Sequence, residues 1–129
     1  MPNTPKVGEF CWYELATTNV KVAKDLYGSV FGWKFSDHAM GDMTYTMIKR
    51  NDHEFGGIWA IPKGQENHIP PHWMGYILVD NLDESLKNAQ KHGAAIVKPA
   101  DNAGDFGRFA IIQDPTGAHI ALWQSIQTK

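Results

Sequence analysis

Trp12 and Glu14 lie two residues apart in the stretch FCWYELATTN, residues 10–19. In a strand, successive side chains point to opposite faces. An indole and a carboxylate would therefore share one face, and Cys11, Tyr13 and Leu15 would take the other. Indole offers a flat stacking surface and one N–H donor. A carboxylate offers acceptor oxygens, a negative charge for a cation and a hard ligand for a metal ion. Such a face suits a metal site, a grip on an organic molecule, or a filled core. Other chemistry-bearing motifs are missing from the chain. There is no Gly-rich phosphate loop, since AGDFGR does not open a helix, and no GxSxG elbow, CxxC or HExxH. Asp101, Asp105 and Asp114 are spread through expected loops and read as turn residues.

The chain has 129 residues and a net charge of −2. One domain is expected, long enough to bury a core. The charge gives no basic stripe for nucleic acid and no attraction to an anionic membrane. No apolar run reaches the length of a membrane span. MPNTPKVGEF has no apolar signal-peptide core, so a reducing, cytoplasmic setting is expected. The one cysteine, Cys11, cannot form an internal disulfide and reads as a small buried hydrophobe.

Residues 1–7 read as a loose arm. A strand is expected over 8–16, then an N-cap in TTN. Val20, Ala23, Leu26, Tyr27, Val30 and Phe31 follow at helical spacing, up to Gly32. WKFSD, MTYTMIK and GGIWAIP read as three strands. A Pro-containing linker spans 63–71. The pattern then restarts: HWMGYILVD as a strand, a helix opened by Asn81 and Asp83 and closed at His92–Gly93, and strands AAIVKP, RFAIIQD and AHIALWQ. The order is βαβββ twice, related by an offset of about 62 positions that matches Asn19 with Asn81 and Ile58 with Ile120. Module one is expected over 8–62 and module two over 72–124.

Three stretches carry a resemblance: ELATTNVKVAKDLYGSVFGW (14–33), GYILVDNLDESLKNAQKHGA (75–94) and GRFAIIQDPTGAHIALWQ (107–124). Together they resemble the vicinal oxygen chelate superfamily, which includes glyoxalase I, extradiol dioxygenases and bleomycin-resistance proteins. The resemblance implies an α+β fold in which two βαβββ modules form a curved, cup-shaped sheet, with helices on the outer face. It also implies a homodimer and a small-molecule partner. Metal-dependent members take His, Glu or Gln ligands from the first and last strands of each module. On this sequence those positions fall on Trp12, Trp59, Met74 and Ala121. None suits a hard divalent ion: indole only donates, alanine offers nothing, and a thioether prefers soft metals. A slip of two residues keeps the face and brings in Glu14, His72 and His119. That set would be a displaced divalent-metal site or an acid/base pair. His38, His53, His68 and His92 fall in expected turns or at a helix end.

The cup implied by the resemblance would be lined by Trp12, Trp59, Met74, Tyr76 and Trp123, with Tyr45 and Met47 beside them. Glu14, His72, Arg108 and His119 would supply its polar groups. The expected function is binding of a small organic ligand without a cofactor or metal. The alternative is a lyase related to lactoylglutathione lyase, or a dioxygenase-type enzyme, working through His72, His119 and Glu14. A cup simply filled by its own aromatics is the third possibility.

Overall fold

The computed structural model describes residues 5–65 and 68–126. Residues 1–4 of the expected arm and two positions of the expected linker lie outside the described residues. The elements are β1 (Phe10–Thr17), α1 (Val20–Phe31), β2 (Lys34–Met40), β3 (Met43–Arg50), β4 (His53–Ala60), β5 (His72–Leu78), α2 (Leu82–Lys91), β6 (Ala95–Ala103), β7 (Gly107–Gln113) and β8 (His119–Ser125). The class is α+β, with βαβββ occurring twice, as alternation and caps predict.

The chain divides into two compact units. One is Trp12–Met74; the other joins the chain up to Cys11 to the chain from Gly75 onward. These limits differ from the expected module ends because the N-terminal segment is bonded to β5. Gly8 N–H donates to the Leu78 carbonyl at 2.8 Å, and Leu78 N–H donates to the Glu9 carbonyl at 2.9 Å. Gly75 leaves room for the Phe10 ring, which a Cβ there would meet at 2.6 Å.

Within the first unit the strand order is β2-β3-β4-β1, antiparallel except for the parallel β4–β1 pair. A parallel pair needs a long crossover, which α1 and the β2–β3 hairpin supply. The second unit repeats this as β6-β7-β8-β5, with β8 and β5 parallel. Each helix packs one stripe on its own sheet. Val20, Ala23 and Tyr27 of α1 pack on Leu15, Ile48 and Ile58. Leu82 and Leu86 of α2 pack on Ala110 and Leu122. Burying each large side chain fully stabilises by about 1.5–3 kcal/mol.

The caps match. Asn19 accepts from Val22 N–H and Asn81 from Glu84 N–H, each at 3.1 Å. Gly32 ends α1 at φ +73°, a conformation costly for any residue with a Cβ. Beyond the helices, however, the offset changes. Glu14 lies opposite Gly57, whereas Tyr76 lies opposite Ala121. Tyr45 faces Trp59, and Phe109 faces Trp123. The helix caps are thus 62 positions apart, but the inner strands are matched 64 apart: Trp59 with Trp123 and Ile58 with Leu122. The extra residues come from two register irregularities in β6 and from a longer β6–β7 turn. The expected match of Ile58 with Ile120 is corrected accordingly.

Candidate ligand-binding face

On the first unit, alternation along β1 gives Trp12 and Glu14 one face, away from the Leu15 core. The same face receives Tyr45 and Met47 from β3 and Gly57 and Trp59 from β4, by the registers above. A hydrogen-bonded chain joins three of these side chains. Trp12 Nε1–H donates to Tyr45 Oη at 2.9 Å, and Tyr45 Oη–H donates to Glu14 Oε2 at 2.7 Å. The short second bond is what a charged acceptor produces. Burial, reinforced by the Glu14 carboxylate, pushes the Tyr45 phenol well above its ordinary pKa. Tyr45 is therefore a fixed neutral donor rather than a phenolate.

Gly57 makes this arrangement possible. A Cβ on Gly57 would lie 1.9 Å from Tyr45 Oη and 2.2 Å from Cζ. The phenol occupies the space that a side chain would need, directly opposite Glu14. Trp59 is half-buried and is the cross-strand neighbour of Tyr45, within packing distance for paired side chains. The face therefore presents two indoles, a phenol and a carboxylate. Such a surface can stack a planar molecule and attract a cationic one.

His72 opens β5, and its Nδ1 is 2.7 Å from the Pro70 carbonyl. A carbonyl only accepts, so that nitrogen carries the proton. Met74 is buried. Between them Trp73 turns to the other side, where its Nε1–H donates to Tyr27 Oη at 3.2 Å. His38 was expected in a turn but stands within β2, opposite Tyr45, with Nε2 3.0 Å from Ser36 Oγ. Burial raises the Cys11 thiol above its ordinary pKa, which fits an inert hydrophobe.

On the second unit, Tyr76 is buried with its ring centroid 6.4 Å from that of Phe109. Trp123 donates from Nε1 to Ser125 Oγ at 3.2 Å. Lys98 Nζ lies 5.7 Å from the Phe109 centroid. His119 is exposed at the start of β8. Arg108 does not belong with these residues. It alternates with Phe109, takes the α2 side, and its guanidinium lies 3.3 Å from the Asp83 carboxylate. Alternation along β7 puts Arg108 on the face opposite the expected cup. Phe109, two residues before Ile111 and paired with Trp123, takes the face expected of Arg108.

The register also moves one of the expected metal positions. The counterpart of Ala121 is Gly57, not Trp59. The set becomes Trp12, Gly57, Met74 and Ala121, which still offers no imidazole, carboxylate or thiolate. The residues at these positions do not fit a hard divalent ion. Among the described residues, no three His, Cys, Asp or Glu side chains form a metal-binding group.

Comparison with known proteins accords with this architecture. The model of the Glyoxalase/Bleomycin resistance protein/Dioxygenase superfamily matches residues 10–122. A Mycobacterium bovis protein named "Putative glyoxylase CFP32" is 37% identical over 116 residues, covering 88% of this chain and 44% of the relative. The anthracycline biosynthesis protein DnrV of Streptomyces peucetius is 26% identical over 131 residues, covering 91% and 47%. The chain thus spans less than half the length of these curated relatives. The crystal structure of methylmalonyl-CoA epimerase from Mycobacterium tuberculosis has the same fold, with a TM-score of 0.68, 17% identity, and coverage of 98% of this chain and 94% of that one. With the family model spanning nearly all of its elements, this chain belongs to the Glyoxalase/Bleomycin resistance protein/Dioxygenase superfamily.

Proposed function

We propose that the protein binds a small, planar organic molecule without a metal, on the Trp12–Glu14–Tyr45–Trp59 face of the first module. The observation that carries this reading is the hydrogen-bonded chain from Trp12 through Tyr45 to Glu14. An ordinary core seldom spends a carboxylate, a phenol and two indoles on one half-buried face. Two relatives named for anthracycline biosynthesis add support, because anthracyclines are planar polycyclic aromatics of the kind that stack on indole. Of the other expected ligand contacts, His72 and Met74 stand on the same unit as this face, and Tyr76, His119 and Trp123 on the other. Arg108, committed to Asp83, is not part of this reading. We assign the protein to the cytoplasm as a homodimer. The competing enzyme reading needs a metal or an acid/base pair at Glu14, His72 and His119.

The test combines elemental analysis with tryptophan quenching by a panel of planar aromatic amines. Saturable quenching is expected without bound metal, weakened at least tenfold by Glu14→Gln and unchanged by Arg108→Ala. A stoichiometric transition metal, lost on His72→Ala or His119→Ala, would overturn the metal-free reading in favour of the enzyme. Quenching that never saturates, for any amine in the panel, would leave a filled aromatic face and no ligand.

A further inference from the structure

Charge is laid unevenly over the ligand face of the first unit. On β2, Phe35 packs into the helix-side core and Asp37 is bonded by Lys24 of α1. Alternation therefore gives Lys34, Ser36 and His38 the opposite face, together with Tyr45 and Met47. There Lys34 stands directly opposite Lys49. Like charges so placed repel each other. Among the described residues neither ammonium lies in an ion pair, although Glu54 is the β4 neighbour of Lys49. Lysine on an edge strand guards against strand-to-strand aggregation, which accounts for Lys34 on β2. It does not account for Lys49, which is half-buried on the inner strand β3. A cleft of about 420 Å³ opens beside the pair, lined by Lys34, Lys49, Arg50 and Ser36 with one acid, Asp52.

The second module carries none of these charges. By register, Glu14, Lys34 and Lys49 correspond to Tyr76, Ala95 and Gln113. The same strands pair in the same way there, so the fold needs neither the acid at one end of the face nor the lysine pair at the other. We infer that Lys34 and Lys49 hold an anionic group of the ligand, whose cationic end lies at Glu14. The ligand class is then a planar aromatic with a basic group at one end and an acidic group at the other. Two strand spacings across and two residues along put the Glu14 and Lys49 backbones roughly 12 Å apart. Two linked aromatic rings with a substituent at each end span that distance. Met47 and the Tyr45 ring above Gly57 form the floor between the two charged ends. The inference rests on the ligand face proposed above and adds the polarity of its ligand.

Tryptophan quenching by two probes tests it: para-(aminomethyl)biphenyl, and the same amine with a carboxylate at the far para position. At low salt the carboxylated probe should bind about tenfold tighter, as charge-assisted bonds from two lysines allow. Added salt should erode that gain. Lys34→Gln and Lys49→Gln should each remove most of it without lowering the affinity for the plain amine. Lys49→Glu should reverse the preference, so that a biphenyl with an aminomethyl group at both ends binds best. A lysine with only a structural role would give no such reversal. Circular dichroism checks that each variant folds. Equal affinity of the wild type for the two probes, or a gain that survives both glutamine variants, would overturn the anion site and leave the ligand face standing. If neither probe quenches saturably, the ligand face falls, and this end of it falls too.

Discussion

At matched positions the first module carries Glu14, Tyr45 and Gly57, where the second carries Tyr76, Phe109 and Ala121. The cross-strand pairings at these positions are equivalent, yet the chemistry differs. In the first module a glycine opens space for a phenol that bridges an indole and a carboxylate. In the second, Ala121 is fully buried, and Tyr76 and Phe109 pack ring against ring. Duplicated architecture has thus been kept where it serves the core and changed on the half-buried sheet face, the face proposed to hold ligand.

Core substitutions should have the largest effect and decide whether the inner strands are matched 64 apart. Ile58 is fully buried and Leu122 nearly so. Ile58→Ala and Leu122→Ala should each cost about 2–5 kcal/mol in denaturant unfolding. Ile120→Ala, at the half-buried position that a uniform offset of 62 would pair with Ile58, should cost clearly less. Equal losses at Ile120 and Leu122 would contradict the register difference.

Next comes the glycine that separates the two faces. Gly57→Ala should destabilise by about 1–3 kcal/mol through overpacking and should push Tyr45 off Glu14. The reciprocal Ala121→Gly should cost about 1–2 kcal/mol, from backbone entropy and the lost buried methyl. If Gly57→Ala proved neutral, the phenol would not be held where it now sits.

The smallest effect sharpens the role of Tyr45. Tyr45→Phe should cost about 1 kcal/mol at neutral pH for the lost hydrogen bonds. The pH dependence has a definite sign. The ordinary tyrosine value is 10.0, and the folded value lies above it. Below the ordinary value both states keep the proton, and Tyr45 adds no slope. Above it the unfolded chain releases the proton while the folded chain retains it, so stability falls as pH rises. Denaturation midpoints on either side of pH 10 should fall more steeply for the wild type than for Tyr45→Phe. Equal slopes would mean that the phenol is not shielded.

Much of this was legible in the residues. Caps at Asn19 and Asn81, helical spacing in α1 and alternation in every strand fix the order of elements, because each signal acts within a few residues. Trp12 and Glu14 share a face for the same reason. The failures were matters of pairing. Which face of the sheet a strand residue takes, and which residue it stands opposite, depend on register, so Arg108 falls on the helix side and Gly57, not Trp59, corresponds to Ala121. His38 looked like a turn residue because SDHAMGD is polar, but β2 is an edge strand and tolerates polar residues on its exposed side.

By itself the sequence determined two βαβββ modules, their N-caps, the alternation along each strand, and an aromatic set of candidate contacts. Those follow from local backbone preferences and the two-residue and 3.6-residue periods. Tertiary structure alone decided that Tyr45 fills the space above Gly57 and joins Trp12 to Glu14, that Arg108 is spent on Asp83, and that Lys34 stands opposite Lys49. Each depends on which strands and helices come side by side, and long-range register, set by bulges and turn lengths, carries no short-range mark.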